Sequence, residues 1–317
     1  MDLNALVAFV AVASEGSFSR AAANLYLTQP AISKRIAALE QDLGAPVFDR
    51  IGRGIALTEA GRALLPRARD ILQGVDACRR VVADLSGTVS GPLKIGTSHH
   101  IGLRRLPPFL RRFARVYPEV DLDIRFMDSE QVCAAVADGM LELGVVTLPL
   151  APAPQLRAEP LWDDPLMVMF APDHPLAGIN PLSPEALAAH PAILPEADTY
   201  TRTLIEQAFA RRGLKLGVRL QTNYMETIRM MVAVGLGWSL LPRTLAGPDL
   251  IAVELPPIAV RRRLGLVIHQ DRTPSHAVSA FRALLQGSAH PPHADASFVS
   301  PDGGGLLPGS VAAKTEK

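Results

Sequence analysis

A heptad pattern of apolar residues between residues 58 and 86 limits the possible folds of this chain more than any other feature. The apolar positions advance by four and three residues alternately, and they are Leu64, Ala68, Ile71, Val75, Cys78, Val82 and Leu85. This spacing places one apolar seam along a long α-helix, as in a coiled coil. We therefore predict a coiled-coil linker helix and hinge over residues 58–90. The residues expected to dimerise the chain are Leu64, Ile71, Val75, Cys78, Val82 and Leu85.

An alternative for this segment is a helix that packs on its own domain. Thr58 is placed to cap the helix. Pro66 should bend the helix or loosen one turn, because proline lacks the backbone N–H and its ring crowds the preceding turn. Residues 86–92 read Ser-Gly-Thr-Val-Ser-Gly-Pro, which is typical of a hinge. The linker therefore separates a short N-terminal segment from a much longer C-terminal one.

Composition narrows the class of protein without identifying it. The chain has 317 residues, which suits two or three domains. It has 32 lysines and arginines against 31 acidic residues, so its net charge gives no indication of a nucleic-acid partner. Cys78 and Cys133 lack a paired spacing, which argues against a disulfide framework or a zinc site. We expect no cofactor and no metal.

No export signal or membrane segment is expected. Residues 1–4 lack the positive region that precedes the apolar part of a signal peptide. The longest apolar stretches, such as residues 230–241, are shorter than the ~20 residues that a membrane span needs. The sequence thus predicts a cytoplasmic protein with no membrane partner.

Three short helices are predicted in residues 1–60. The first ends at Gly16, and Ser17 or Ser19 is placed to cap the second. Thr28 is the expected N-cap of the third helix, which ends at Gly44. The residues of the third helix that would pack inward are Ile32, Ile36, Leu39 and Leu43. Two short helices joined tightly to a third with a polar N-terminal half are typical of a helix-turn-helix.

The polar half of the third helix and the segment after it are candidate DNA contacts. Gln29 and Ser33 lie one turn apart and could reach base edges, whereas Lys34 and Arg35 could meet phosphates. Residues 47–57 read as two short strands that would form a wing, with Arg53 at its tip able to enter a minor groove.

The alternative is that Lys34 and Arg35 belong to an ordinary solvated surface. In residues 1–60 six acidic residues outnumber five basic ones, so this segment is not a basic patch. Attraction to phosphates would depend on a few basic side chains placed next to them, and a dimer would present twice as many of these side chains.

From Leu93 onward strands alternate with helices, which indicates an α/β domain with a mostly parallel sheet over residues 91–287. The predicted elements are strands at 93–97, 122–127, 141–146, 166–171, 238–241 and 264–269, and helices at 104–117, 129–138, 184–190, 201–212, 225–234 and 275–285. The chain is expected to form two lobes joined by two crossovers. Lobe I comprises residues 91–162 and 264–287, and lobe II comprises residues 163–263.

Ligands of open α/β sheets lie beyond the carboxyl ends of strands, against helix N-termini that offer free N–H groups. That rule selects eight candidate effector-binding residues, which are Thr97, Ser98, His99, Ser129, Thr147, Thr199, Thr201 and Asn223. Hydroxyls and amides without a dedicated acid favour an anionic or polar effector, with His99 as a switchable donor. The alternative for each serine or threonine is an ordinary helix cap.

Enzymatic activity and metal binding have little support. His99 and His100 are adjacent, which is poor spacing for two metal ligands on one helix face. No set of nucleophile, base and acid is visible, so no catalytic residue is assigned.

Much of the N-terminal segment resembles the LysR-type transcriptional regulators. The residues that carry the resemblance are Phe9, Gly16 to Ala22, Thr28 to Ser33, Ile36, Leu39, Glu40, Leu43, Gly44, Val47, Phe48, Arg50 and Leu57 to Gly61. The resemblance implies a winged helix-turn-helix over residues 1–60 whose third helix reads the major groove of double-stranded promoter DNA at an interrupted inverted repeat. The contacts that it carries over are Gln29, Pro30, Ser33 and Arg53, with Thr28, Lys34 and Arg35 beside them.

The resemblance also implies a C-terminal domain like that of periplasmic binding proteins, with a small-molecule effector in its cleft. A homodimer that assembles into a homotetramer and contacts RNA polymerase is implied as well. The expected fold is therefore multidomain α/β, with an N-terminal winged helix-turn-helix, a long linker helix and a two-lobed regulatory domain.

Two other functions compete with this interpretation. A cytoplasmic solute-binding module without a DNA role is opposed by the helix-turn-helix. An enzyme on the same two-lobed fold, similar to porphobilinogen deaminase, would need a reactive cysteine, and Cys133 has no activating basic neighbour in sequence. Residues 288–317 have few aromatic residues and many glycines and prolines, which predicts a disordered tail.

Overall fold

The computed structural model describes residues 1–51, 54–84 and 89–287. Three predictions lie outside the described residues, namely Arg53 as the wing contact, Leu85 as the last seam position and residues 288–317 as a disordered tail. The side chain of Val82 is likewise outside the description.

The N-terminal segment folds into three helices, α1 (Leu3–Glu15), α2 (Phe18–Asn24) and α3 (Gln29–Leu43). Their ends follow the capping residues of the sequence. The Ser17 hydroxyl accepts a hydrogen bond from the Arg20 backbone N–H at 3.3 Å, and the Thr28 hydroxyl accepts one from Ala31 at 3.4 Å. Gly44 ends α3 at a φ of 68°, a left-handed conformation that favours glycine. The predicted helix-turn-helix is confirmed.

A hairpin follows the three helices, with β1 (Phe48–Ile51) antiparallel to β2 (Gly54–Leu57). Phe9, Ile32 and Val47 are fully buried in the core that this domain encloses. Burial of each such side chain contributes about 1.5–3 kcal/mol, so the core fixes the orientation of α3.

The linker helix α4 (Glu59–Asp84) continues through Pro66, and its first turn is capped by Thr58, whose hydroxyl accepts a bond from Gly61 at 3.0 Å. Ala68 is fully buried against the N-terminal core, with Leu64 half-buried beside it. The first half of the seam thus packs on its own domain, as the alternative for this segment expected, and the contact of Leu64 with a partner chain stays a prediction. Farther along α4, Cys78 is exposed.

Lobe I contains β3 (Gly91–Thr97), α5 (His99–Arg104), α6 (Pro107–Val116), β4 (Val120–Phe126), α7 (Ser129–Ala137), β5 (Leu143–Thr147) and, at the end of the described chain, α11 (His276–Gln286). The helix predicted over residues 104–117 corresponds to α6, whereas α5, which precedes it, was not predicted. The break between α5 and α6 lies before Pro107 and Pro108, which lack the N–H needed to continue α5 but suit the first turn of a new helix.

Lobe II contains α8 (Pro184–Ala188), β7 (Ala192–Leu194), α9 (Tyr200–Ala210), β8 (Val218–Gln221), α10 (Met225–Ala233), β9 (Ser239–Pro242) and β10 (Ile251–Val253). Its core holds Phe209 and Trp238, both fully buried, and the Trp238 indole N–H donates to the His190 carbonyl oxygen at 3.0 Å.

Two long strands join the lobes, β6 (Leu156–Phe170) and β11 (Arg261–His269), and they pair with each other antiparallel. The sheet order is β10-β6-β11-β5-β3-β4, and β9 also pairs with β6. β3 is parallel to both β4 and β5, but the pairs β5–β11, β11–β6, β6–β10 and β6–β9 are antiparallel, so the prediction of a mostly parallel sheet is wrong. β6 is longer than the predicted strand 166–171, because Pro160 and Pro165 interrupt the sequence pattern although both lie within the strand. The two-lobed fold is confirmed.

Within the described ranges, no single helix has the length and apolar character to cross a membrane. The α1 and α2 helices meet that test only when taken together, across a bend of 119°.

Candidate functional site

The N-terminal half of α3 presents a polar surface. Gln29 and Pro30 are exposed and Ser33 is half-buried. The Gln29 side-chain amide donates to the Ser33 hydroxyl at 3.0 Å, so the two predicted base contacts form one polar unit a single turn apart. This pair offers donors and acceptors together, as base-edge recognition requires.

Cationic groups flank this unit. Lys34 is exposed and Arg35 is half-buried, and neither forms an ion pair within the described part of the chain. Thr28 is exposed, but its hydroxyl is engaged in capping α3. The side chains of Lys34 and Arg35 are therefore available for phosphates, whereas Thr28 orients the helix.

Sequence reasoning treated residues 26–27 only as a turn. In the structure Tyr26 is 96% exposed at a φ of 54° between α2 and α3. Because its ring is so exposed beside the recognition helix, Tyr26 is a candidate functional residue of this surface. No spacing rule in the sequence would have selected it.

A cavity of about 400 Å³, including its open mouth, lies between the two lobes. Its lining residues are Ser98, His100, Asp128, Ser129, Glu130, Thr147, Pro195, Thr199, Thr201, Asn223, Met225 and Arg262. Six of the eight predicted effector residues are in this set. The strand-end rule therefore located the cavity.

Two predicted residues do not line the cavity. Thr97 is fully buried, and its hydroxyl donates to the Val145 carbonyl oxygen at 2.9 Å, so it packs behind the cavity. His99 is exposed, and its ring packs against Phe126 and Tyr224 with centroid distances of 5.3 and 4.9 Å. Neighbouring side chains point in different directions at this strand end, so the ring that enters the cavity is that of His100.

The cavity also contains groups that the sequence did not indicate, and these correct the expectation of a site without acids. The charged residues are Asp128, Glu130 and Arg262. Asp128 and Glu130 flank Ser129 at the start of α7, so their position next to a selected residue was an available signal. Arg262 lies on the crossover strand β11, where no comparable local signal marks it.

Arg262 is held by a buried acid. Its Nε donates to Asp164 Oδ2 at 3.0 Å, and its Nη1 donates to the Thr201 hydroxyl at 3.2 Å. Arg105 approaches the other oxygen of Asp164 at 3.4 Å. Two guanidinium groups share one carboxylate, so this end of the cavity keeps a net positive charge in a region where screening is weak.

The opposite charge comes from α7. The Asn223 side-chain amide in lobe II donates to Asp128 Oδ2 at 2.8 Å, and the Tyr200 backbone N–H donates to Glu130. Burial raises the pKa of Glu130 above its usual value. Both bonds cross from one lobe to the other.

His100 crosses the same gap. Its Nδ1 lies 3.2 Å from Glu226 Oε1, and its Nε2 lies 3.5 Å from the Thr244 hydroxyl. Burial lowers the pKa of His100, an effect to which nearby Arg262 adds and which Glu226 opposes. The ring is therefore held in its neutral form near pH 7.

Cys133 lies behind the cavity on α7 and is buried. Burial raises the pKa of its thiol to about 11. The thiolate needed for nucleophilic or redox chemistry is therefore scarce at neutral pH.

Known proteins match both parts of this architecture. Residues 3–62 match the bacterial regulatory helix-turn-helix protein model of the lysR family, and residues 86–289 match the LysR substrate binding domain. The chain is 35% identical over 297 residues to the SDS degradation transcriptional activation protein of a Pseudomonas species, covering 90% of this chain and 95% of that one.

Two solved structures share the fold across nearly the whole chain. A full-length OxyR variant from Pseudomonas aeruginosa has a TM-score of 0.66 at 24% identity, covering 91% of this chain and 94% of that one. CbnR in complex with its target DNA has a TM-score of 0.61 at 22% identity, covering 91% of this chain and all of that one.

A winged helix-turn-helix joined by a long helix to a two-lobed binding domain defines a class of DNA-binding transcriptional regulators. The chain belongs to the LysR family of transcriptional regulators. Because members of this family are regulators and not enzymes, neither the enzyme nor the isolated solute-binding interpretation is favoured.

Proposed function

We propose that this chain binds promoter DNA as a homodimer and that a small polar molecule in the inter-lobe cavity changes how the paired winged helices engage the DNA. Assembly of dimers into a homotetramer and contact with RNA polymerase belong to the same proposal. The proposed domains are residues 1–60 for DNA, 58–90 for the linker and 91–287 for the effector.

The observation that carries the proposal is the position of α7. Its first residue, Ser129, lines the cavity, and Asp128 and Glu130 beside it form the inter-lobe bonds. At its other end, Asp138 pairs with Arg69 of the linker helix at 2.6 Å. A helix of nine residues is about 13 Å long, so one rigid element joins the cavity to the linker. Displacement at one end is transmitted to the other.

The DNA contacts rest on the polar unit of α3. Gln29 and Ser33 supply base-edge groups, and Lys34 and Arg35 supply phosphate contacts. CbnR, which shares this fold, has been solved with its target DNA. The exposed part of the α4 seam supports the dimer, since Ile71 is 39% exposed and Cys78 is exposed as well.

The test begins with selection of duplexes from a random-sequence library by the full-length protein. We expect enrichment of an interrupted inverted repeat, since a two-fold symmetric dimer presents two identical helices. With the selected duplex, Gln29→Ala and Ser33→Ala should each weaken binding at least about fivefold, because a base-edge pair discriminates by about 1–3 kcal/mol.

Gln41→Ala is the matched control, because Gln41 is an exposed glutamine at the far end of the same helix. It should bind within about twofold of wild type. Size-exclusion chromatography must show unchanged assembly for all three variants. No enrichment, or equal affinities for Gln29→Ala and Gln41→Ala, would contradict the proposal.

A further inference from the structure

The inter-lobe cavity carries opposite charges at two ends that lie close together. Thr201 Oγ1 accepts from Arg262 Nη1 at 3.2 Å, whereas the preceding residue, Tyr200, donates its backbone N–H to Glu130. Consecutive Cα atoms are about 3.8 Å apart, so the basic end and the acidic end are within reach of one small molecule.

The wall between these ends is polar. Thr147 is 4% exposed and lines the cavity, and its backbone N–H donates to the Ser129 hydroxyl at 3.1 Å. Ser98 also lines the cavity, and its hydroxyl caps no N–H of α5. A hydroxyl group can both donate to and accept from a ligand.

The charges disfavour a simple anion or cation. The net positive charge of Arg105, Arg262 and Asp164 attracts a carboxylate, but a second carboxylate of a dianion would face Asp128 and Glu130. A lone cation would satisfy the acids and leave the basic end unmatched. A molecule with both charges matches both ends.

We propose that the effector is a small zwitterion, of the α-amino acid class, with its carboxylate toward Arg262, Thr201 and Thr147 and its ammonium toward Asp128 and Glu130. The inference deepens the proposed function, because it names the chemistry of that regulator's effector.

The experiment is a thermal shift of the full-length protein against the twenty common amino acids and against matched sets that lack one charge. One such set is L-alanine, propionate and ethylamine. A ligand at 100 times its Kd should raise Tm by about 5 °C or more. We expect at least one amino acid to give this shift, and its deaminated and decarboxylated counterparts to bind at least tenfold more weakly.

Asp128→Asn and Thr147→Val should each weaken the amino acid at least tenfold. Asp121→Asn is the matched control, because Asp121 is exposed on β4 of the same lobe, away from the cavity. Thr147→Val keeps the side-chain shape, so it tests the site even if Asp128→Asn disturbs the inter-lobe bond to Asn223.

Two results would overturn the inference. One is a panel in which no amino acid shifts the protein, and the other is binding by carboxylates that gains nothing from the amine. Each protein sample is also assayed on the selected duplex. If the protein binds the duplex but no amino acid raises its Tm, only the proposed effector class is wrong. If the protein does not bind the duplex, the proposed function itself is wrong.

Discussion

Arg69 of the linker helix and Asp138 at the C-terminal end of α7 form an ion pair of 2.6 Å, in which the Arg69 side chain is only 17% exposed. A second contact lies nearby, where the Ser14 hydroxyl of α1 is 4.0 Å from the Met140 sulfur. The DNA-binding part of the chain is therefore in direct contact with lobe I, at the end of α7 farthest from the cavity.

The first prediction concerns this ion pair. Arg69→Met should raise amide hydrogen exchange in two segments together, α4 around residue 69 and the turn at residues 138–140, because each partner restrains the other. The measurement is hydrogen exchange by mass spectrometry on the full-length chain. Arg67→Met is the control, since Arg67 is 80% exposed and pairs with Asp70 on its own helix. If both variants alter residues 138–140 equally, the pair does not couple the two parts.

The second prediction concerns the phosphate contacts of α3. Lys34→Ala should weaken binding to every duplex by a similar factor and reduce the slope of log K against log salt by about 0.9 for each phosphate that is no longer neutralised. Lys215→Ala, an exposed lysine in lobe II, should leave the slope unchanged. Fluorescence anisotropy over a salt series measures both. A sequence-dependent weakening with an unchanged slope would mean that Lys34 contacts bases instead.

The third prediction concerns the crossover strands. A Cβ atom at Gly265 would overlap the Glu159 carbonyl oxygen of β6, which is backbone and has little freedom to move. Gly265→Ala should therefore lower the stability of the two-lobed domain by about 1–3 kcal/mol, as overpacking in a core does. Gly217→Ala is the matched control, because no atom lies within 4 Å of its added Cβ. Urea unfolding followed by circular dichroism compares the two, and equal midpoints would contradict the argument.

The fourth prediction concerns pH. Burial holds the pKa of His100 below the ordinary value of 6.5, so the unfolded chain binds more protons than the folded chain in this range. Stability should therefore fall as the pH drops below about 6.5, and His100→Gln should remove part of that fall. Tm measured from about pH 7.5 to about pH 5.5 tests this.

The raised pKa of Glu130 acts in the opposite direction, because the folded chain then holds its proton more tightly. Asp128, Asp198 and Cys133 face Glu130 and are unchanged in His100→Gln, so the contribution of Glu130 largely cancels between the two proteins. Equal falls in Tm for wild type and His100→Gln would show that His100 does not cause the pH dependence.

The fifth prediction concerns the cysteines. Cys78 is exposed, whereas Cys133 is buried with a thiol pKa raised to about 11. A thiol reagent such as DTNB should modify only Cys78 in the native protein, more slowly where the dimer covers the α4 seam than in the free chain, and Cys78→Ser should abolish this reaction. Unfolding in guanidinium should then expose Cys133. Rapid labelling of native Cys78→Ser would contradict the burial.

Local signals predicted most of the elements, because they depend on residues close in sequence. Thr28 caps α3 and Gly44 ends it through bonds and φ angles that involve only neighbours. The polar residues at strand ends and helix starts were found for the same reason, since Ser129 and Thr199 begin helices that border the cavity.

Long-range pairings were beyond sequence reasoning. Arg262 and Asp164 are 98 positions apart and meet only because β6 and β11 pair in a particular register. Thr97 was selected because it ends a strand, but that rule does not say which face the side chain occupies. The contact of Ala68 with the N-terminal core likewise depends on how α4 leaves the wing, which the heptad pattern does not specify.

The polar bonds between the lobes have a consequence for selectivity. Asp128 with Asn223, Glu130 with Tyr200 and His100 with Glu226 are all pairings made by the chain's own groups. A molecule that enters between them gains only the difference between the bonds that it makes and those that it replaces. Many polar metabolites would therefore exchange one set of bonds for an equal set with no gain. The cavity therefore selects the molecule whose hydrogen bonds to both lobes are more favourable than the inter-lobe bonds that it replaces.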